Sequence, residues 1–560
     1  KDGLPGLVMS LTVSPLQLGK RRATDACFGF VYAGLLAATV VILLYSASNN
    51  DLSNLTDDSQ LACGGGAVTT TLSSSNSTAE ILKEVLPQSK NLLFAVLFSV
   101  IVGFVWMAAL RSCAKPIVYA TILVKGVILG AFVMFLISIG APTITIIFGM
   151  IGLGLYALVL CVYRRKINLT ASLIEQSVCV VSAHPQVFVA AALLMLLGAV
   201  VYTICVAAAV FLLAGGEYAE VSTADPTTGI TTTSCTWVVS NASYGALALI
   251  SFVALWTWEL FMAMRYFVVS LTAGVWYYHS ASLTSQEGGQ RVPEARSPVT
   301  TATKLAFTKS FGTIAFSSLI MTICEMLRRM ARRSAQNNGI IGCLIACCIQ
   351  CIISYIEFLT RFALTFHALT GDDFCSSART FTDHLGRHGF SALFVDWLSR
   401  FVLQFGAMVL SLVVAGLCVG LMLSTIGHTV DVWVVVILGV ASWLIALFFL
   451  IFIGGILLNV IDACYCCLVL DLDHGAQHQP QMAQAIIIVA NPNFVVQQPN
   501  GSYAITYQQG QPPPTHAPQP VVATGQPTYA TAYPTSAYPT AQPVAYARPV
   551  ANSQSNLMSG

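Results

Sequence analysis

The chain is 560 residues long, 56% of them hydrophobic and 9% charged, with a mean hydropathy of +0.75. A water-facing surface needs roughly 25% charged residues, so a soluble enzyme is excluded. The 26 Lys and Arg against 24 Asp and Glu leave a net charge of +2 with no dense basic tract, which excludes nucleic acid as a partner.

Ten apolar runs follow in chain order, at about 27–46, 91–110, 117–139, 143–163, 186–213, 245–278, 306–327, 340–369, 402–426 and 432–459. Each is near the ~20 residues that a helix needs to cross a ~30 Å hydrocarbon core. They lack the period-2 alternation of a membrane barrel, and in hydrocarbon every backbone amide must be bonded within its segment. The predicted fold is therefore all-α, a polytopic membrane bundle of about ten transmembrane helices.

Lys20, Arg21 and Arg22 hold the N-terminal segment 1–26 in the cytosol. The first transmembrane helix, 27–46, then exits outward, being too long for the h-region of a secretory signal. That makes 47–90 an extracellular loop, and its sequons at Asn54 and Asn76 predict glycosylation, as does Asn241 in the outer loop 214–244. The links 111–116 and 164–185 are basic and fall inside, so the sequon at Asn168 stays unmodified. Cys63 and Cys235 are the only cysteines of the two outer loops; they form either a disulfide or two free thiols.

The transmembrane domain extends over 91–473. Within it, Arg328, Arg329, Arg332 and Arg333 fall in a link that simple alternation places outside. The flanking runs either cross against the charge bias or are partly re-entrant. The last two runs form a hairpin around 427–431, which leaves the C-terminus cytosolic. Residues 474–560 contain one charged side chain, Arg548, amid Gln, Pro, Tyr, Ala and Thr. Too little apolar area is available there to offset ordering entropy, so a disordered cytosolic tail is predicted. It acts either as a passive tether or as a docking site for adaptor proteins.

No GxxxxGK[ST], GxSxG, HExxH or paired CxxC pattern is present, and no cofactor or metal is expected. Cys343, Cys347, Cys348 and Cys351 cluster without His or carboxylate at ligand spacing, and read as packing or S-acylation positions, as do Cys464, Cys466 and Cys467. Ionisable groups inside the bilayer cost several kcal/mol each and are functional candidates by default. They are Lys125, Glu259, Arg265, Glu325, Glu357 and Arg361. Trp256 and Glu259 are three residues apart, with Phe252 and Tyr266 near the same stripe. A quaternary ammonium cannot donate a hydrogen bond and is held by aromatic faces and a negative charge, which is what this stripe offers. The competing reading makes Glu259 a structural partner of Lys125, Arg265 or Arg361, and the tryptophans packing residues.

Several stretches carry a resemblance: Trp256-Thr257-Trp258-Glu259, Trp276-Tyr277-Tyr278, and Ser310 through Ile320 (SFGTIAFSSLI). Further on come Cys347-Cys348-Ile349-Gln350-Cys351, Thr360-Arg361-Phe362-Ala363, Gly371 through Arg379, Arg387 through Leu393 with Asp396 and Phe405-Gly406, and Val460-Ile461-Asp462 with Cys467 and Asp471. In this order they resemble the choline transporter-like family, its fungal and plant branch in particular, most strongly over 250–473. The chain departs from the family pattern at Thr360, Phe362 and Leu364, and at Asp372, where the family has lysine. The resemblance implies ten spans, cytosolic termini, a glycosylated first outer loop, and movement of choline or a related amine such as ethanolamine. Supply of phospholipid synthesis is the expected use, and the plasma membrane the expected location, with an endomembrane or organellar membrane as the alternative. The candidate substrate-binding residues are Trp256 and Glu259, with Tyr266, Trp276 and Tyr277 as further aromatics. Glu325 and Arg361 are a candidate gating or structural ion pair. A carrier of another organic cation, such as a thiamine derivative, and a non-transporting scaffold are the alternatives.

Overall fold

A computed structural model describes residues 16, 21–50, 90–140, 142–224, 231–284, 297–337, 339–388, 391–426, 432–474, 479, 495–497 and 503–505. Asn54, Asn76 and Cys63 lie outside these, and with them two of the glycosylation sites and the pairing of Cys63 with Cys235. So does most of the tail. Asn241 is described, exposed at the start of a helix.

The helices run in order α1 (Ala26–Asn49), α2 (Lys90–Ser138), α3 (Thr143–Ala183), α4 (Gln186–Ala214), α5 (Asn241–Thr284), α6 (Pro298–Phe307), α7 (Phe311–Asn337), α8 (Gly339–Thr370), α9 (Phe374–His388), α10 (Ser391–Ile426) and α11 (Val432–His474). Among the described residues eight helices are long and apolar enough to cross a membrane, or nine when the two halves of α3, bent by 43°, count as one span. The difference from the ten predicted runs arises in α2, which joins 91–110 and 117–139 into one element. Its apolar length of 47 residues is about 70 Å, over twice the hydrocarbon thickness. The element is broken at Cys113 (φ −135°, ψ 34°), just ahead of Pro116, whose ring displaces the carbonyl four residues back.

Two short hairpins add to the all-helical expectation. In the predicted outer loop, β1 (Glu217–Ala224) pairs antiparallel with β2 (Thr231–Val238), placing Glu220 opposite Cys235. Threonines 231–233 and Val221 suit a pleated surface. Within the predicted disordered tail, β3 (Val495–Gln497) pairs with β4 (Tyr503–Ile505); the sequence between them holds Asn500-Gly501, a hairpin-turn signal.

The bundle is organised around α5 and α11, which pack on each other. On one side α1, α4, α7 and α8 assemble about α5; on the other, α2, α3 and α10 assemble about α11. The C-terminal half of α11 is the largest departure from the sequence reading. The last span was expected to stop at Asn459, yet the helix runs on to His474, and Val460 through Leu470 are buried. Tyrosines of α5 reach it by hydroxyl donation: Tyr266 to Asp462 at 3.1 Å, Tyr277 to Asp471 at 2.9 Å, and Tyr278 to the Cys467 carbonyl at 3.3 Å. Tyr266 meets residue 462 while Tyr277 and Tyr278, eleven and twelve residues on, meet 471 and 467, so the two helices are parallel. Cys464, Cys466 and Cys467 are fully buried here, as packing residues; Cys343, Cys347, Cys348 and Cys351 lie exposed along α8.

Helices α7 and α8 are antiparallel neighbours, and each qualifies as a span. Arg328 of α7 is held by Glu325 at 2.8 Å and by Glu357 of α8, and Arg329 by Glu325 at 3.0 Å. Two of the four arginines that break the charge bias are thus neutralised locally, which supports crossing rather than re-entry.

The far ends of α7 and α8 meet the residues that precede α1. Arg21 donates to the Ala368 carbonyl at 2.5 Å and the Leu369 carbonyl at 3.4 Å, at the negative end of α8. Burial draws this guanidinium down to about 10, with Asp372 opposing the shift. Asp25 accepts from the Thr313 hydroxyl at 2.8 Å and from the Phe374 amide at 3.0 Å, so it caps α9 from another helix. Gly371, at φ +82°, lets α8 end beneath Arg21.

Candidate functional site

A cavity of about 780 Å³ lies midway along the spans, lined by α4, α5, α7, α8, α10 and α11. Its volume falls within the ~300–1,000 Å³ of small-molecule sites. Helix α5 contributes Trp258, Glu259, Met262, Arg265 and Tyr266; α11 contributes Phe448, Phe449, Phe452, Gly455 and Asn459.

The base of the cavity is a closed ionic network. Arg361 reaches Asp396 with both terminal nitrogens, at 3.2 and 3.1 Å, and Asp462 at 3.5 Å. Arg400 reaches Asp396 at 3.0 Å. The Tyr266 hydroxyl donates to Asp462 and accepts from Thr365 at 2.9 Å. Two arginines and two carboxylates balance, and the fully buried Asp462 has both a hydroxyl and a guanidinium for company.

Among the described residues Glu259 has neither an ion pair nor a hydrogen-bond partner; Glu325, Glu357 and Arg328 are within its electrostatic reach. It pairs with none of Lys125, Arg265 and Arg361. The Lys125 ammonium instead lies over the rings of Phe401 at 4.0 Å and Trp397 at 5.3 Å.

Of the predicted substrate-binding residues, Glu259 and Tyr266 line the cavity and the other three do not. Trp256 is fully buried away from it, donating from Nε1 to Ser318 Oγ at 3.0 Å and to the Ala315 carbonyl at 3.2 Å, edge-on to Tyr32. Three residues advance a helix by about 300°, which turns Trp256 some 60° from Glu259, on the side opposite Met262 and Tyr266. Trp276 packs half-buried against the core, and Tyr277 is spent on Asp471. The aromatic that accompanies Glu259 in the cavity is its neighbour Trp258. Glu325 and Arg361 are not partners: the first belongs to the Arg328 cluster, the second to the Asp396 network.

Sequence reasoning missed Arg400, Asn459, Trp258 and the three phenylalanines of α11 as site residues. It quoted Asp396 and Asp462 only as parts of motifs. Residues 146–473, which include every cavity-lining side chain, match the family described as plasma-membrane choline transporter. Two CTL-like proteins of Dictyostelium discoideum are 24% identical to the chain, one over 358 residues (59% of this chain, 62% of the relative), the other over 346 (60% and 55%). The chain therefore spans less than two thirds of the length of either relative.

Proposed function

The chain belongs to the choline transporter-like family, a transporter family of multi-pass membrane proteins, and from that premise we propose that it carries choline or a related amine such as ethanolamine across a membrane. The plasma membrane is the proposed location, and supply of phospholipid synthesis the proposed use.

One observation carries the reading: among the described residues Glu259 has no ion-pair or hydrogen-bond partner, and it sits in a mid-span cavity beside Trp258, Tyr266, Phe448, Phe449 and Phe452. A trimethylammonium group offers no N–H, so direct hydrogen bonding cannot select it. Ring faces and one uncompensated carboxylate attract it, and hydrocarbon surroundings strengthen that attraction. In the proposed cycle the amine enters from one side, neutralises Glu259, and leaves to the other side when the outer helices rock about α5 and α11.

The test is uptake of labelled choline into liposomes containing the purified chain, with and without an imposed membrane potential. Saturable uptake competed by unlabelled choline supports the reading, and acceleration by an inside-negative potential shows that the cation's charge moves uncompensated. Absence of uptake and of choline binding by verified folded protein overturns it. A panel of competing amines, thiamine derivatives included, ranks the substrates.

A further inference from the structure

Two charges remain in the cavity once the Arg361–Asp396–Arg400–Asp462 network is set aside. One is Glu259. The other is Arg265, whose Nε is buried with no acceptor among the described residues and whose guanidinium lies against α11, with Nη2 3.7 Å from where a side chain on Gly455 would begin. One helical turn further along α11, Asn459 is 6% exposed, and its Nδ2 also has no acceptor. The cavity thus holds, besides its unpaired carboxylate, two orphaned donors, one of them cationic. Both an isolated buried cation and an unmet buried donor are destabilising until a ligand answers them.

A bare cation would answer Glu259 alone and would bring positive charge into a space that already has an unmatched guanidinium. A ligand with an ammonium at one end and an anionic oxygen group at the other answers all three groups at once. Guanidinium and amide N–H groups donate to phosphate and carboxylate oxygens alike, and a phosphate ester is the simplest way to join an anionic group to an amino alcohol of the proposed substrate class.

The cavity is also open on its flank. Its lining includes Leu196, Phe448, Trp258 and Ile451, 63%, 67%, 42% and 47% exposed, all mid-span and so facing hydrocarbon. An acyl chain attached to the anionic end could leave by that opening.

Resting on the reading of Glu259 as the amine-binding carboxylate, we propose that Arg265 and Asn459 form an anion subsite, and that the preferred ligand is a zwitterionic phosphate ester of choline or ethanolamine. The ester is either free or the headgroup of a lipid whose tail passes between α4 and α11.

The experiment compares binding of choline, phosphocholine and lysophosphatidylcholine to the purified full-length chain, for wild type, Arg265→Gln and Asn459→Leu. Phosphocholine is expected to bind at least about tenfold tighter than choline, a difference of ~1.4 kcal/mol. Arg265→Gln is expected to invert the order, weakening phosphocholine about tenfold and tightening choline severalfold as the competing charge disappears. Asn459→Leu weakens phosphocholine with little gain for choline. Lysophosphatidylcholine binding tighter than phosphocholine identifies the lipid as the source of the headgroup; equal binding identifies the soluble ester. Wild-type protein that binds choline as tightly as phosphocholine overturns the anion subsite and leaves the transport proposal intact. So does choline binding that reaches the phosphocholine level on addition of chloride, since the anion would then be a separate ion. If Arg265→Gln fails to fold, an unchanged phosphocholine-to-choline ratio in Asn459→Leu overturns the subsite. Folded protein that binds none of the three ligands overturns both proposals.

Discussion

Arg361 of α8 and Asp396 of α10 meet in a two-point ion pair, Nη1 to Oδ1 at 3.2 Å and Nη2 to Oδ2 at 3.1 Å. Removing either partner leaves a buried charge whose compensation is gone. Asp396→Asn and Arg361→Gln are each expected to cost about 3–5 kcal/mol. The double variant should cost clearly less than the sum, because its two defects cancel. Thermal unfolding of the detergent-purified variants measures this, and strict additivity would show that the pair does not act as a unit.

Glu259→Gln should separate function from stability. The carboxylate has no partner among the described residues, so neutralising it removes a desolvation cost and should leave the melting temperature unchanged or higher. Choline uptake at equal protein amount should fall, with KM raised about tenfold or more, equivalent to ~1.4 kcal/mol of lost cation binding. Unaltered uptake kinetics would remove Glu259 from the path.

Trp256 and Trp258 are two residues apart and should behave oppositely. Trp256 is enclosed and hydrogen-bonded, so Trp256→Ala should destabilise by about 3–5 kcal/mol and reduce folded yield. Trp258→Ala should leave stability near wild type while weakening choline by about 0.5–2 kcal/mol through loss of a ring face. Equal effects of the two on uptake per folded molecule would contradict this assignment.

Acid should weaken the fold through His184, which follows α3 and lies half-buried. Burial lowers its pKa below 6.5, so the unfolded chain binds more protons. The sign follows: this contribution is intact above about 6.5 and is lost as pH falls below the unfolded value. Melting curves from pH 7.5 to 5 should fall less steeply for His184→Gln than for wild type; coincident slopes would refute the role. Arg21 adds no slope in this window, because its guanidinium titrates near 10.

How much of this was legible in the sequence differs between fold and site. Hydropathy located the helices because uninterrupted apolar runs have no other use in a chain with 9% charge. It misjudged the end of α11, because a window that meets Asp462 and Asp471 reads an exit into water. Here Tyr266, Arg361 and Tyr277 supply the compensation that water would otherwise give. The site was half legible. Glu259 stood out because intramembrane charge is costly, and Tyr266 because it shares the same stripe. Trp258 lines the cavity and Trp256 does not, a distinction spacing could not give, because it fixes the angle between two residues and not the direction of the cavity. Phe448, Phe449 and Phe452 could not be told from lipid-facing neighbours in a uniformly apolar run. That Arg265 meets no acceptor among the described residues depends on distant helices, which no local pattern contains.

The parallel pairing of α5 with α11 has a mechanical consequence. The two helices are clasped by tyrosine hydroxyls from Tyr266 onward, and the cavity lies on the N-terminal side of that clasp. Directly beneath the cavity, the Asp462 carboxylate fastens α5 to α11 through Tyr266, so the two helices that line most of the cavity share one polar joint. Because Asp462 also meets Arg361, the same carboxylate ties α8 to that joint, and three helices are held together at a single buried charge.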